Sequence, residues 1–388
     1  MSIPTKASVA DDVEIVRRIF AHIDAGTTDE GDAWREPVEN YVDPIRFTNE
    51  LATLRSFPSV FLPSAAIPNA GDHAERVTFG VPLFAVRDRD GRARVFRNSC
   101  RHRGMALVEG PGCSHALVCR YHGWTYRLDG SLSHVPHPEA FPDLDMPSRG
   151  LVEVDSREVD GLIVIGPLSP PMDPRRADAA MAALCDGNPW RDKLLPADRL
   201  FTVRPALREM NWKVLVEQFL EGYHIRTTHK NTFFPIQYDD LNVVEPFGPN
   251  TRITFPYQNI ERLRDRPEST WNVGHRVTYV YHLFPNVMVA TFPNQVLVIT
   301  IDPIDIDHAT VTIYAMVTPH VAERVSGDPE AAAGARNLLN EGGVEDNEMS
   351  EGVQRGLHAG ANEFVEFGRH ESAIGRFHAE LDKRLASA

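Results

Sequence analysis

Two short stretches, CRHRGM at residues 100–105 and CRYHGW at residues 119–124, decide how the first half of this chain folds. Together they supply Cys100, His102, Cys119 and His122, spaced as Cys-x-His, sixteen residues, Cys-x-x-His. Each stretch also carries a glycine, Gly104 or Gly123, which suits a tight loop that closes over a bound group. Because all four side chains are metal ligands, the spacing predicts a metal centre held between two loop tips.

The ligand set favours a two-iron cluster over a zinc site. In a Rieske [2Fe–2S] centre two thiolates hold one iron and two imidazoles hold the other, which raises the reduction potential above that of a four-Cys cluster. A structural zinc site accepts the same donors, but it usually opens with two close cysteines and closes with two histidines. Here each half contributes one of each. We therefore predict a Rieske cluster, with zinc as the minor alternative.

Length and composition bound the possible functions. The chain has 388 residues, enough for two domains, and 42% of them are apolar. Its formal charge of −14 disfavours nucleic acid or an anionic membrane as a partner, since both need a basic surface. Residues 1–15 lack a signal peptide pattern, and no stretch is long and apolar enough to cross a bilayer. We expect a cytoplasmic protein.

The cysteine count agrees with that compartment. Of the 4 cysteines, two belong to the predicted cluster, which leaves Cys113 and Cys185. Two cysteines are too few for a disulfide framework, and a reducing compartment is therefore expected.

Hydrophobic patterning divides the chain. Apolar positions in residues 10–24 recur at helical spacing behind two aspartates, and short β-rich runs begin near residue 57. The proline-rich stretch GPLSPPMDP, residues 166–174, predicts a linker. The predicted domains are an N-terminal helical segment that packs on the C-terminal domain, residues 1–50, a small all-β domain, residues 51–167, and the C-terminal domain, residues 168–388.

The second half reads as an antiparallel sheet packed against helices. Strands are predicted at residues 201–207, 251–257, 277–283, 287–291, 296–301 and 310–317, several of them joined by short links. From residue 329 onward a helical pattern dominates, with expected breaks at Gly342-Gly343 and near Gly360. The predicted fold class is α+β.

The stretch NWKVLVEQFLEGYHIRTTH, residues 211–229, carries the second set of candidate ligands. An apolar stripe predicts a helix; its members are Trp212, Leu215, Val216, Phe219 and Tyr223. Glu217, Glu221 and His224 would then share another face of that helix. His229 falls off this face, so it can meet His224 only if the helix ends near Ile225.

Two histidines and one carboxylate form the facial triad of a non-haem Fe(II) site, which leaves positions open for O₂ and substrate. Asp346, beside Glu345, is the candidate third ligand, at the expected start of a helix with apolar positions Met349, Val353 and Leu357. The alternative is that both histidines are structural and that the acids favour a helix start.

Read together, the two ligand sets resemble the α subunit of Rieske non-haem iron oxygenases, from about residue 45 to the end of the chain. The family's catalytic phrase matches Trp212-Lys213, Glu217-Gln218, Glu221, Tyr223-His224 and His229, and its Asp-Asn pair matches Asp346-Asn347. The resemblance implies a helix-grip catalytic domain with a long antiparallel sheet. It implies a [2Fe–2S] cluster on the four ligands above, and a mononuclear Fe(II) on His224, His229 and Asp346.

The resemblance also implies partners. Electrons would come from an NAD(P)H-dependent reductase, in some members through a ferredoxin. The chain would form a homotrimer in which each Rieske domain docks on the neighbouring protomer. Glu221 would accept hydrogen bonds from His224 of its own chain and His122 of the neighbouring protomer, and would orient both imidazoles.

Two departures from the family pattern concern the substrate. Most members have Asp where this chain has Glu221, and Asn where it has Gln218. The resemblance associates that Glu with enzymes of quaternary ammonium compounds such as carnitine. Aromatic side chains could line a cation pocket, and the candidates are Phe233, Phe234, Tyr279, Tyr281 and Phe284.

The leading functional prediction is O₂-dependent hydroxylation of a small organic, aromatic substrate by a terminal oxygenase component. Oxidative N- or O-demethylation of a quaternary ammonium or methoxy compound is the alternative within the same enzyme class. A Rieske electron carrier without oxygenase activity and a ligand-binding helix-grip module represent other classes. An electron carrier would leave His224, His229 and Asp346 unexplained, and a ligand-binding module would need neither metal centre.

Overall fold

A computed structural model describes residues 9–169, 173–184, 187, 189–327 and 329–387. The chain forms two compact units, one made of Met1–Thr53 with Asp186–Ala388 and the other of Leu54–Cys185. The domain limits drawn from the sequence at residues 50 and 167 stay a prediction. Residues 170–172 of the expected linker lie outside the described residues, as do residues 1–8 of the N-terminal segment and Cys185.

The N-terminal segment contains helix α1 (Asp12–Ala25), strand β1 (Trp34–Pro37), and helices α2 (Glu39–Val42) and α3 (Pro44–Arg55). The side chain of Asp11 caps α1 by accepting a hydrogen bond from the backbone N–H of Glu14 at 2.9 Å. Gly26, with φ 63°, ends the helix in the left-handed conformation. The predicted N-terminal helix is thus confirmed.

The second unit is built from short antiparallel strands. Its strands are β2 (Ser59–Pro63), β3 (Asp72–Thr78), β4 (Val81–Arg87), β5 (Ala93–Arg97), β6 (Gly112–Cys113), β7 (Leu117–Val118), β8 (Thr125–Tyr126), β9 (Leu132–His134), β10 (Glu153–Val154), β11 (Ser156–Val159) and β12 (Leu162–Ile165). They form a five-stranded sheet in the order β10-β5-β4-β3-β6 and two three-stranded sheets, β11-β12-β2 and β7-β8-β9. Helix α4 (Pro174–Leu184) follows.

The core of this unit explains where its loops emerge. A buried apolar cluster contains Phe84, Phe96, Trp124 and Tyr126, together with the two cysteines of the predicted cluster site. The ligand loops therefore begin on packed strands, which hold the bases of both loops in place.

The remainder of the first unit contains a large sheet and its covering helices. After helix α5 (Arg191–Leu194) come β13 (Arg199–Arg208), α6 (Trp212–Glu217), α7 (Ile225–Thr228), β14 (Val243–Phe247), β15 (Asn250–Pro256), β16 (Val277–Leu283), β17 (Val287–Phe292), β18 (Gln295–Pro303), β19 (Ala309–Val317), α8 (Pro319–Gly327), α9 (Pro329–Leu357), β20 (Phe364–Phe367) and α10 (Ser372–Leu385). Short 3₁₀ segments lie at Ser64–Ala66, Pro138–Ala140, Met146–Arg149, Gln258–Leu263, Glu268–Thr270 and Arg369–Glu371.

Seven of these strands form one antiparallel sheet, in the order β13-β19-β18-β17-β16-β15-β14. All six strands predicted in this half are confirmed. The seventh strand of the sheet, β14, was not predicted, because it contains Pro246 and proline is unfavourable in strands. It lies at the edge of the sheet, where a proline without an N–H is tolerated.

Strand β20 pairs antiparallel with β1, which joins the end of the chain to the N-terminal segment. Helix α10 buries Ile374, Phe377, His378 and Leu381. Among the described residues, no helix combines the length and apolar character that crossing a membrane requires.

Candidate metal centres

The first cluster loop is a closed turn. The backbone N–H of Cys100 donates to the carbonyl of Met105 at 2.8 Å, and the N–H of Gly104 donates back to the carbonyl of Cys100 at 2.9 Å. Gly104 has φ 81°, a conformation that other residues rarely adopt. The glycine predicted from the sequence is therefore required by the turn.

The second loop repeats this geometry. Cys119 N–H donates to the Trp124 carbonyl at 2.8 Å, Gly123 N–H donates to the Cys119 carbonyl at 2.9 Å, and Gly123 has φ 71°. Two turns of the same construction therefore face one another and present one cysteine and one histidine each.

The four predicted ligands lie together with the thiols inside. Cys100 and Cys119 are each 3% exposed, whereas His122 is exposed and His102 is half-buried, with the two imidazole centroids 4.7 Å apart. Burial raises the pKa of the Cys100 thiol, so a thiolate here needs a nearby positive charge. Two buried thiols and two outward imidazoles fit a Rieske cluster, whose irons supply that charge.

Aromatic residues fix the histidine side of this site. The ring of Trp124 stacks on His102 with centroids 4.9 Å apart and planes at 6°. Tyr126 accepts a hydrogen bond from the N–H of Arg101 at 3.0 Å, and its hydroxyl lies 3.3 Å from the sulfur of Cys100. The Tyr126 hydroxyl can thus donate to the sulfur, an interaction that tunes a cluster's potential.

The predicted helix from residue 211 to an end near Ile225 is confirmed only as far as Glu217. Asn211 caps α6 by accepting from the N–H of Lys213 at 3.0 Å, but the helix ends at Glu217. The next turn tightens, because Leu220 N–H donates to the Glu217 carbonyl only three residues earlier, at 2.9 Å. Gly222 then packs against a distant loop, and a Cβ there would lie 2.5 Å from Asn242 Oδ1.

This break removes the shared helical face proposed for Glu217, Glu221 and His224, and it leaves Tyr223 64% exposed rather than on a buried stripe. It also brings the two histidines together. His224 is the N-cap and His229 the C-cap of the single-turn helix α7, with their Nε2 atoms 3.2 Å apart. The expected helix end near Ile225 is thus reached by an earlier break and a separate turn.

Asp346 lies inside α9 and not at the start of a helix, because the helix continues through Gly342 and Gly343. At Gly342 the missing side chain makes room for Phe233, since a Cβ would lie 2.5 Å from the Phe233 ring. Asp346 Oδ1 is 3.0 Å from Nε2 of His229 and 3.6 Å from Nε2 of His224.

Of the three apolar positions assigned to this helix, only Leu357 is buried. Met349 is 49% and Val353 46% exposed, whereas Ser350 and Gln354 are 5% and 4% exposed. Ser350 Oγ donates to Gln218 Oε1 at 2.6 Å, which ties α9 to the end of α6. Polar side chains hold this interface, so hydrophobic spacing pointed to the wrong side of the helix.

One ligand atom from each of His224, His229 and Asp346 lies within 4.8 Å of the other two. Both imidazoles have their Nδ1 engaged by a carboxylate, His224 with Glu221 and His229 with Glu345 at 2.8 Å. A carboxylate on Nδ1 fixes the tautomer and leaves Nε2 free to bind a metal. These residues therefore fit a mononuclear metal of the 2-His-1-carboxylate type.

Sequence reasoning named Glu345 but gave it no role, and it missed Thr232. Thr232 Oγ1 donates to Glu345 Oε2 at 2.7 Å, the same oxygen that contacts His229. The only signal in the sequence is the adjacency of Glu345 to Asp346. In a helix neighbouring residues point in different directions, which lets one acid face the metal and the other face the back of its ligand.

The Trp-Lys pair at the start of α6 anchors the helix to the N-terminal segment. Lys213 Nζ donates to both carboxylate oxygens of Glu50 on α3, at 2.9 and 2.8 Å, and Trp212 Nε1 donates to the same carboxylate at 3.1 Å. All three side chains are buried. Removing one partner would leave an uncompensated buried charge, so the pair has a positional role.

Glu217 belongs to a second buried network and not to the metal site. It accepts hydrogen bonds from Tyr41 Oη at 2.7 Å and from His378 Nε2 at 2.9 Å, and His378 Nδ1 lies 3.4 Å from Glu36. Burial alone would lower the pKa of His378, but the carboxylates of Glu217 and Glu36 outweigh it and raise the pKa to about 9. His378 is therefore a buried cation at neutral pH.

A cavity of about 410 Å³ adjoins the triad, within the size range of small-molecule sites. Its floor is one face of β13, β15, β16, β17, β18 and β19, and the rest comes from α6, α7, α9 and the loops on either side of α7. The lining includes Gln218, Glu221 and all three triad residues.

Only one of the aromatic candidates lines this cavity. The lining phenyl groups are Phe219, Phe233, Phe255 and Phe292. On β16 the residues that face the cavity are Thr278 and Val280, so the intervening Tyr279 and Tyr281 point to the opposite face of the sheet. There Arg252 lies over the Tyr279 ring at 4.8 Å.

Sequence comparisons agree with both halves of this description. The family described as Rieske [2Fe-2S] domain matches residues 59–148, and the family described as ring hydroxylating alpha subunit (catalytic domain) matches residues 196–387. The two matches cover both ligand sets. The chain belongs to the Rieske non-haem iron oxygenases.

Relatives of this Rieske oxygenase chain include enzymes of quaternary ammonium compounds. The carnitine monooxygenase oxygenase subunit of Escherichia coli (strain K12) is 31% identical over 216 residues, 54% of this chain and about half, 55%, of that subunit. The chloroplastic choline monooxygenase of Beta vulgaris is 24% identical over a stretch that covers 98% of this chain and 84% of the enzyme.

Solved structures share the fold. A quaternary ammonium Rieske monooxygenase superposes with a TM-score of 0.74 at 19% identity, covering 98% of this chain and 100% of that one. The predicted fold class and family are confirmed, and the two matched domains fit both predicted cofactors. The roles assigned to individual site residues stay predictions.

Proposed function

We propose that this chain is the terminal oxygenase component of a multicomponent system that hydroxylates a small organic substrate with O₂. The single observation that carries the proposal is the convergence of His224, His229 and Asp346 beside a cavity, in a chain that also has a Rieske domain. A bound Rieske cluster supplies single electrons, and a mononuclear Fe(II) with open positions supplies O₂ activation.

The chain's own side chains prepare that site. Glu221 and Glu345 hold the two imidazoles by their Nδ1 atoms, which directs both Nε2 atoms toward Asp346. The phenyl groups of the lining and the triad would enclose the substrate between them. Gln218, held by Ser350, adds an amide to the lining.

Partners follow from the same architecture. An NAD(P)H-dependent reductase, acting directly or through a ferredoxin, would reduce the cluster. The exposure of His122 supports delivery of the electron to the mononuclear site of another protomer of a homotrimer, where Glu221 would accept a hydrogen bond from that His122. Inter-subunit electron transfer is described for a structurally similar quaternary ammonium Rieske monooxygenase.

Two substrate chemistries remain, and they share this site. Hydroxylation of an aromatic compound agrees with the four phenyl groups of the cavity. Removal of an N- or O-methyl group through hydroxylation of its carbon is the second candidate. It is favoured by the relatives that are named as carnitine and choline monooxygenases. It is also favoured by Glu221 and Gln218, the two positions where this chain differs from most family members.

The test measures oxygen consumption by the iron-loaded protein in the presence of NADH and a reductase that serves many Rieske oxygenases. A panel of aromatic acids, methoxy compounds and N-methyl compounds should contain members that accelerate O₂ uptake, with a hydroxylated product or formaldehyde formed in proportion. Reductase alone provides the background rate. Uptake that no compound accelerates, and that yields only peroxide, would contradict the proposal.

A further inference from the structure

One cavity-lining charge has no role in metal binding. Arg208, near the end of edge strand β13, lines the cavity together with Arg204 and Ala206 of the same strand. These three residues alternate along the strand, so their side chains share the face that forms the cavity floor. Their cross-strand neighbours Val311 and Ile313 also line it, and both are apolar.

Within the described part of the chain, the Arg208 side chain donates no hydrogen bond and makes no ion pair, and it is only partly exposed. Burial lowers the pKa of its guanidinium, against the opposing field of Glu351 on α9. A half-buried guanidinium offers five donors in a fixed fork that matches a carboxylate. Leaving it without an acceptor is costly, so a bound anion is the expected complement.

The acidic residues of the cavity lie elsewhere. Glu221 and Asp346 face the histidine pair, so neither acidic residue of the lining contacts Arg208. The whole chain carries a formal charge of −14, which repels anions, so the attraction for an anion must come from a local positive charge such as Arg208.

We propose that Arg208 binds a carboxylate of the substrate and thereby selects organic acids over neutral and purely cationic compounds. This inference rests on the proposed function and specifies its substrate class. An aromatic acid and a carboxylated quaternary amine both satisfy it. A cation without an acid group, such as choline, does not.

Calorimetric titration of the iron-loaded protein without reductant tests binding apart from turnover. The probes are 4-methoxybenzoate, phenylacetate and 4-trimethylammoniobutyrate, each compared with its own carboxamide. At least one acid should bind about 10- to 100-fold tighter than its amide, the difference expected for a hydrogen-bonded charge pair. Equal binding of acids and amides, or no saturable binding of any acid, would overturn the assignment.

Variants locate the effect. Arg208→Gln should remove the preference for acids and leave the amides unaffected, and Arg208→Lys should restore part of it. Glu351→Gln should tighten acid binding by removing an opposing charge. Arg199→Gln, on the same strand but outside the cavity lining, is the matched control and should behave as the parent. An acid preference that survives in Arg208→Gln contradicts the proposal.

The two proposals fail separately. If acids bind but O₂ uptake is never coupled to product formation, the carboxylate site is supported and the oxygenase function is contradicted. If neutral or purely cationic compounds are turned over and Arg208→Gln has no effect, the oxygenase function is supported and the carboxylate site is contradicted.

Discussion

At the scale of single residues, Glu345 shows how an unassigned acid can control a metal ligand. Its carboxylate holds His229 by Nδ1 and is itself held by Thr232. Glu345→Gln should weaken Fe(II) binding at the mononuclear site about 10- to 100-fold, the usual loss for such a supporting group. Iron titration of the apo-protein measures it, and Glu348→Gln, exposed on the same helix, is the control. If Glu345→Gln and the parent bind Fe(II) with equal affinity, Glu345 does not support the metal ligand His229.

Glu221 differs from Glu345 in the property it is predicted to control. Its carboxylate contacts His224 through both the ring Nδ1 and the backbone N–H, which is half of the predicted bridge to a neighbouring His122. Glu221→Gln should keep both metal spectra but slow product formation at least about tenfold. Single-turnover product yield is the measurement, with Glu323→Gln as an exposed control. Unchanged turnover would refute the bridge.

At the scale of secondary structure, Gly342 and Gly343 of α9 allow the effect of side-chain packing to be compared with the effect of helix propensity. A Cβ at Gly342 would meet the Phe233 ring at 2.5 Å, and that ring packs edge-on against His229 with centroids 4.9 Å apart. A Cβ at Gly343 meets nothing within 4 Å.

Gly342→Ala should therefore destabilise the protein by about 1–3 kcal/mol and displace Phe233 from His229. Gly343→Ala should stabilise it by about 0.5–1 kcal/mol, because alanine favours a helix. Urea unfolding of the two variants provides the comparison. Stabilisation by both substitutions would mean that the approach of Phe233 to Gly342 is not required.

The elements also show what the sequence could and could not predict. The cluster ligands were predictable because their loops are local turns, each closed by its own backbone between Cys100 and Met105 or Cys119 and Trp124. The strands were predictable because alternating apolar residues report burial directly. Both signals lie within a few residues of the feature they predict.

The failures have a common physical cause, which is contact between distant segments. Helix α6 ends at Glu217, ahead of the segment in which Gly222 approaches Asn242, and α9 continues through Gly342, where the missing side chain accommodates Phe233. Neither contact is visible in local spacing, and both override helix propensity. The same holds for Tyr279, whose direction depends on which face of its strand meets the cavity.

At the scale of the whole molecule, the network around His378 links strand β1 and helices α2, α6 and α10. Its raised folded pKa of about 9, against about 6.5 when unfolded, favours the protonated folded state. The stability that results is fully present below pH 6.5 and is lost as the pH rises through about 9.

The size of this effect is on the order of 3 kcal/mol. Urea midpoints measured between about pH 6 and 10 should fall in the parent, whereas His378→Gln should be less stable at about pH 6 and should lose most of this dependence. His320→Gln, at an exposed position, should retain the parental profile. A parental midpoint that is constant over this range would show that His378 is not a buried cation.

Two metal centres in one chain are the central feature of this molecule, and the ratio of iron to acid-labile sulfide measures them most directly. The parent should contain three irons and two sulfides per chain, and His224→Ala should contain two of each, since only the mononuclear site is lost. Two irons and two sulfides in the fully loaded parent, or three irons retained in His224→Ala, would contradict the presence of both centres.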